Sequence, residues 1–146
     1  MPTLLLYCAR CSTQYDDDPN GDAWAPLEAD VTLYNHKWFW SPANELKRRN
    51  VDELMDIYYK SVGHGGVLLL NSTPDTTGLI PIGDVKQYIS FGKEISHRFD
   101  KPVSAIHNKK GYEFEISFKQ PTEVNHVVLK EDYRQGHRIR EKKVVG

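Results

Sequence analysis

In Gly65-Gly66-Val67-Leu68-Leu69-Leu70-Asn71-Ser72-Thr73-Pro74, four apolar residues stand in a row between a glycine pair and a polar, turn-forming run. Their lack of alternation predicts a strand buried on both faces, and such strands belong to parallel sheets covered by helices. Just upstream, Asn50-Val51-Asp52-Glu53 has the form of a capping box. Behind it Val51, Leu54, Met55, Tyr58 and Val62 recur at helical spacing and predict one apolar stripe. Gly63, Gly65 and Gly66 stop that helix, and Gly63 suits the left-handed position just past its end. Downstream, Pro74-Asp75 and Thr77-Gly78 predict a loop. Asp84 to Gln87 repeats the capping signature, and Val85, Tyr88, Gly92, Ile95 and Phe99 continue at steps of three and four. Helix, buried strand, loop and helix make the rhythm of an α/β domain.

After Lys101-Pro102 the period changes from helical to alternating. Tyr112, Phe114, Ile116 and Phe118 interleave with Glu113, Glu115 and Ser117, which predicts a strand with one wet face. Val124 to Leu129 reads as a second strand and Arg138 to Val145 as a third. The pattern predicts a domain boundary near residue 100. Three strands bury too little apolar surface to stand alone, so the chain reads as cut off within a β domain.

Composition excludes several classes without selecting a function. The 146 residues carry a net charge of -1, which lacks the basic excess of a nucleic-acid or membrane-surface protein. Leu4-Leu5-Leu6 and Val67 to Leu70 are far shorter than the ~20 apolar residues of a membrane span. The N-terminus has no signal-peptide pattern. Two cysteines make no disulfide framework. Aromatic residues reach 11%, with three Trp and eight Tyr, concentrated between Trp24 and Trp40.

Several residues carry candidate chemistry. Glu28 and Asp30 would share one face of a strand, about 7 Å apart along the chain. That is near the ~6.5–9.5 Å between the carboxyls of an inverting glycosidase and wider than the ~5–5.5 Å of a retaining one. Trp24, Trp38 and Trp40 offer apolar planes that could stack on sugar faces. The simpler alternative is a solvated carboxylate pair beside core tryptophans. Cys8-Ala9-Arg10-Cys11 is a C-x-x-C, but no amphipathic helix follows it as a redox motif requires. A zinc site there would need two more ligands, for which His36 and His64 are loose candidates. The glycines around His64 precede the apolar run, whereas a nucleotide-binding loop follows its strand. Asn71 stands at the strand's C-terminal end, the end that faces the ligand in parallel α/β domains. Asn71-Ser72-Thr73 also fits the glycosylation acceptor pattern, which burial would oppose.

These segments together resemble one family. Trp24-Ala25-Pro26-Leu27-Glu28-Ala29-Asp30, then Trp38-Phe39-Trp40, resemble the W-x-P-x-E-x-D … W-F-[WY] segment of α-L-fucosidases of glycoside hydrolase family 29. Tyr58-Tyr59-Lys60-Ser61-Val62-Gly63 followed by Leu68-Leu69-Leu70-Asn71 is similar to the family's Y-x-x-S-V-G … L-L-L-N block. Val124-Asn125-His126-Val127-Val128, with Gly136-His137-Arg138-Ile139, resembles the opening of its C-terminal β-sandwich. The resemblance implies the last strand–helix units of a (β/α)8 barrel in residues 1-100 and the beginning of an antiparallel β-sandwich in 101-146. It implies hydrolysis of terminal α-L-fucosyl linkages of glycans with retention, no cofactor or metal, and a secreted, periplasmic or lysosomal parent enzyme. Met1 to Asn20 contain no match to the nucleophile-bearing strand, and the acid/base segment also lies upstream in the family, so the isolated chain is expected to be inactive. Glu28 is the one acid/base substitute the chain offers. The resemblance makes Trp38 a contact for the apolar side of fucose, with Trp24, Glu28 and His36 on nearby loops. Two readings compete: a non-catalytic carbohydrate-binding or interaction module, and a thiol enzyme built on Cys8 and Cys11.

Overall fold

The computed structural model describes residues 27–106, 113–130 and 143–145. Trp24, Cys8 and Cys11 lie outside the described residues, as do Tyr112 and positions 138–142 of the third expected strand. The elements are β1 (Glu28–Thr32), α1 (Pro42–Glu45), α2 (Val51–Lys60), a 3-10 turn (Val62–His64), β2 (Val67–Asn71) and α3 (Ile82–Phe99). β1 and β2 pair in parallel, Glu28 opposite Val67 and Thr32 opposite Asn71. Strand, helix, strand, helix is the order expected of an α/β unit.

The capping box forms as the sequence predicts. Asn50 Oδ1 accepts from the Glu53 backbone N–H at 2.9 Å, and Glu53 Oε2 accepts from that of Asn50 at 2.8 Å. Two otherwise orphaned donors are thereby satisfied at the start of α2. Leu54 and Met55 fall on its inner face and are buried. At the other end the left-handed residue is Gly65, at φ 82°, rather than Gly63. The reason is the extra 3-10 turn, which moves the reversal two residues on and buries Gly63 within it. Gly66 then enters β2, where a Cβ would lie 2.8 Å from the Leu27 carbonyl oxygen and 3.1 Å from that of Ser61. Only glycine allows so close an approach of backbone to backbone.

β2 departs from the expectation of burial on both faces. Leu68 and Leu70 pack on a core of Leu33, Tyr34, Leu54, Met55 and Phe91. Val67 and Leu69 remain 47% and 50% exposed. α2 and α3 contribute to the core on the Leu68–Leu70 side, and among the described residues nothing covers the other.

α3 also differs from its sequence reading. Its N-cap is Pro81, with no side-chain cap, and Asp84 sits inside the first turn at 0% exposure. The core-facing residues are Tyr88, Phe91, Ile95 and Phe99, so Phe91 takes the place assigned to Gly92, which is exposed. The buried carboxylate of Asp84 is spent on tertiary contacts. Its Oδ2 accepts from the Tyr34 hydroxyl at 2.5 Å and its Oδ1 from Arg48 Nε at 2.7 Å. Arg48 also pairs with Glu45 at 3.3 Å, and Glu45 Oε1 accepts from the Trp40 indole N–H at 2.8 Å. Burial, then the hydrogen bond to Asp84 and its negative charge, hold the Tyr34 hydroxyl well above the usual phenol range, so it stays a donor. Beside this network, Arg49 N–H donates to the Leu33 carbonyl at 3.0 Å and Asn35 N–H to that of Lys47 at 2.9 Å, tying the segment after β1 to the segment after α1.

Beyond Asp100 the alternating stretches do not form strands. Residues 113–118 and 124–129 show neither strand nor helix, and 113–118 are exposed throughout. Alternation marks a side suited to a sheet, but a strand exists only through its ladder of partners, and none is present among the described residues. His126 docks this stretch against α2 and α3. The His126 ring stacks on Tyr59 at 5.8 Å and meets Phe99 edge-on. Tyr59 hydroxyl and His126 Nε2 are 2.9 Å apart, and Arg98 Nη1 donates to the same hydroxyl at 2.9 Å. His126 Nδ1 lies 3.1 Å from Asn125 Oδ1, which can only accept, so in the neutral ring Nδ1 carries the proton and Nε2 accepts from the Tyr59 hydroxyl. Arg98 is in turn paired with Glu94 at 2.6 Å.

Two outcomes are expected. Asp84→Asn leaves Arg48 without its buried partner, so unfolding in urea should show a loss of about 3 kcal/mol, the scale for breaking a buried pair. Burial, then the Arg98 charge, lowers the His126 pKa below its ordinary 6.5. The unfolded chain therefore takes up a proton that docked His126 refuses, so docking is complete above that value and weakens as pH falls through it. An NMR titration of the His126 ring should give a midpoint below 6.5, and His126→Gln should flatten the acid-side fall in thermal stability.

Candidate binding groove

Parallel pairing places the C-terminal ends of β1 and β2 side by side, and each strand opens into a loop there. Between these loops lies an open groove of about 470 Å³. Trp38, Phe39 and Trp40 line it from the loop after β1, and residues 71–76 from the end of β2 and its loop. The C-terminal edge of a parallel sheet is where α/β proteins place their ligands, because the loops there are free to vary while the strands hold them.

The aromatic wall has one fixed and one wet member. Trp40 is half-buried, and its indole N–H is bonded to Glu45. Trp38 is 46% exposed, and its indole N–H has no hydrogen-bond partner among the described residues. Phe39 is 80% exposed, and its carbonyl accepts from Asn44 Nδ2 at 2.8 Å. Across the groove, Thr73 Oγ1 lies 3.1 Å from the Trp38 carbonyl oxygen and 2.7 Å from Asn71 Oδ1. The Tyr88 hydroxyl donates to the Asn71 carbonyl at 3.0 Å, fixing the end of β2 to α3.

Asp75 is the one carboxylate among the described lining residues. Its Oδ1 accepts from the Thr77 hydroxyl at 2.6 Å and from the Thr77 backbone N–H at 2.7 Å. These bonds, the hydroxyl's first, hold its pKa below the usual carboxylate range. At neutral pH Asp75 is an anion with no proton to give. The groove thus offers apolar ring faces beside amide and hydroxyl groups, which suits a small polyhydroxylated ring.

The residues singled out from sequence are distributed unevenly around it. Trp38, Trp40 and Asn71 line the groove. His36 is exposed in the 34–37 turn at φ 56°, next to the groove but outside its lining. Glu28 begins β1, with Asp30 on the same exposed face. At about 3.3 Å per residue, Glu28 stands roughly 13 Å along the strand from the end that meets the groove. Phe39 stands in the sequence only as the middle of Trp38-Phe39-Trp40, Thr73 as the end of the acceptor pattern and Asp75 as part of a turn signal, and none of these marks a place in the groove. Among the described residues no cluster of His, Cys, Asp or Glu could hold a metal ion, and no helix is long and apolar enough to cross a membrane.

No protein-family model matches the chain. A protein of Oryza sativa subsp. japonica assigned as α-L-fucosidase 1 is 44% identical over 69 residues, which are 47% of this chain and 13% of that protein. A structure assigned as an α-L-fucosidase of Bacteroides thetaiotaomicron matches with a TM-score of 0.57 at 38% identity, over 68% of this chain and 26% of that one. A Ruminococcus gnavus glycoside hydrolase family 29 fucosidase, in complex with fucose, matches with a TM-score of 0.52 at 33% identity, over 56% of this chain and 16% of that one. The chain therefore spans about a quarter or less of the length of these relatives. Sequence and structure agree on one set of relatives, and over the shared residues this chain matches a segment of the α-L-fucosidases of glycoside hydrolase family 29.

Proposed function

We propose that this chain supplies part of the fucose-binding wall of a retaining α-L-fucosidase that acts on terminal α-L-fucosyl groups of glycans. The observation that carries the reading is Trp38: a half-exposed indole whose N–H is unbonded among the described residues, in a groove at the C-terminal ends of two parallel strands. A fucose ring laid there would set its methyl group against the indole plane. Burying that methyl is worth about 1 kcal/mol, and a hydroxyl in its place would lose that gain. The fucose complex of the Ruminococcus gnavus relative supports this choice of sugar. In the same reading residues 1-100 belong to the barrel and 101-146 open the β-sandwich, in keeping with the end of α3 at Phe99 just before Lys101-Pro102.

Retaining hydrolysis needs a nucleophilic carboxylate and a second carboxyl group that first gives and then takes a proton. Among the described residues the groove lining has one carboxylate, and its pKa is shifted in the wrong direction for an acid. Glu28 stands at the far end of β1, so this reading gives it no catalytic part. The 146 residues alone are therefore expected to bind fucose without cleaving fucosides.

The purified chain, incubated with an aryl α-L-fucoside, should release no aryl alcohol above a blank. Fucose should shift the Trp38 indole N–H resonance at lower concentration than L-galactose, which carries the extra hydroxyl. Turnover well above the blank would overturn the binding-only assignment. Equal response to the two sugars would overturn the role given to Trp38.

A further inference from the structure

The loops on the two sides of the groove are joined at Thr73. Its hydroxyl has two oxygen neighbours, the Trp38 carbonyl at 3.1 Å and Asn71 Oδ1 at 2.7 Å. A hydroxyl has one proton, so it cannot donate to both. The backbone carbonyl can only accept and has first claim on that proton. A side-chain amide has nitrogen and oxygen of nearly the same shape, and its orientation is fixed by its neighbours. With its amide turned so that Nδ2 faces Thr73, Asn71 donates, Thr73 accepts and passes its own proton to the Trp38 carbonyl. The Thr73 hydroxyl then accepts from one side and donates to the other. The relay starts from a fixed point, because the Asn71 backbone is held by the Tyr88 hydroxyl on α3.

Trp38 needs such a restraint more than its neighbour does. Trp40 is anchored through its own indole N–H, whereas the Trp38 side chain has no hydrogen bond among the described residues. The place of its ring is set through its main chain. From this geometry we infer that Thr73 is a positioning residue: oriented by Asn71, its hydroxyl pins the Trp38 main chain and so fixes the indole over the groove. Thr73 acts through Trp38 and is not itself assigned a contact with the sugar. The link to sugar binding rests on the function proposed above, whereas the pinning of Trp38 does not.

The test uses the full chain labelled with nitrogen-15, with the Trp38 indole resonance identified by Trp38→Phe. Thr73→Val keeps the shape and removes the hydroxyl, and Thr73→Ser restores it. Asn71→Asp keeps the Thr73 hydroxyl but offers it a carboxylate that can only accept, drawing the proton away from Trp38. In Thr73→Val and Asn71→Asp, the indole heteronuclear NOE of Trp38 should fall while that of Trp40 stays unchanged. Thr73→Ser should match the parent chain. Fucose affinity, read from the same resonance, should drop about fivefold in Thr73→Val, the scale of one lost hydrogen bond. An unchanged Trp38 NOE in Thr73→Val, with the rest of the spectrum intact, would overturn the inference. So would loss of order in Trp40 and Trp38 alike, since that would mark general loosening. If the parent chain fails to bind fucose, the sugar assignment falls, while the NOE comparison still decides whether Thr73 pins Trp38.

Discussion

Three separate pieces of backbone meet at one buried carboxylate. Tyr34 follows β1, Arg48 follows α1 and Asp84 belongs to the first turn of α3, and their polar groups converge where Asp84 has no exposure to water. An anion in that position is costly unless it is fully paired. Here it has an N–H donor, an O–H donor and the favourable end of a helix dipole. None of the three pieces can shift without leaving a charge or a donor unmet. The joint therefore fixes where α3 begins, and with it the β2–α3 loop that forms one side of the groove.

The same joint extends to the other side. Arg48 holds Glu45, and Glu45 holds the Trp40 indole, so the chain of polar contacts that starts in the core ends on the groove wall. Two residues earlier, Trp38 is outside that chain and keeps a wet indole. The wall thus combines a rigid aromatic with one tethered only through its main chain. A wall held in this way loses little order when a ligand arrives. Asp75, the one carboxylate among the described lining residues, is committed to Thr77.

Local signals in the sequence were legible where the interaction is local. The Asn50–Glu53 box and the Leu54–Met55 face of α2 depend on neighbours a few residues apart, and each forms. The Val67–Leu70 strand forms as well, but through pairing with the distant β1 and with one face left exposed. Signals that depend on distant partners were misread. Asp84 looks like a cap because an acidic residue at a helix start usually is one, yet its partners are 50 and 36 residues away. Periodicity counted from Val85 puts Gly92 on the apolar face of α3, whereas counting from Asp84 gives Phe91. The alternation at 113–118 is real, but no neighbouring strand is described to pair with it. In the groove, Trp38 and Asn71 could be found from aromatic density and strand-end position. Thr73 and Asp75 could not, since what distinguishes them is the hydroxyl and amide geometry around them.

The uncovered side of the sheet carries the remaining argument about architecture. Register sets Glu28 beside Val67 and Asp30 beside Leu69, so each carboxylate neighbours an aliphatic side chain left half in water. A face made for solvent would not spend a valine and a leucine there, and an all-apolar core face would not accept two carboxylates. Parallel sheets are stable with both faces covered and their edges paired or protected, and a two-stranded one satisfies neither condition on this side. Relatives of which the matched residues make up about a quarter or less have ample chain for additional strands. In a closed barrel this face would turn inward, where the aliphatics lose water and the carboxylates find donors from strands opposite. On the proposed reading, the mixed chemistry of this face, awkward in a pair of strands, is that of a barrel interior.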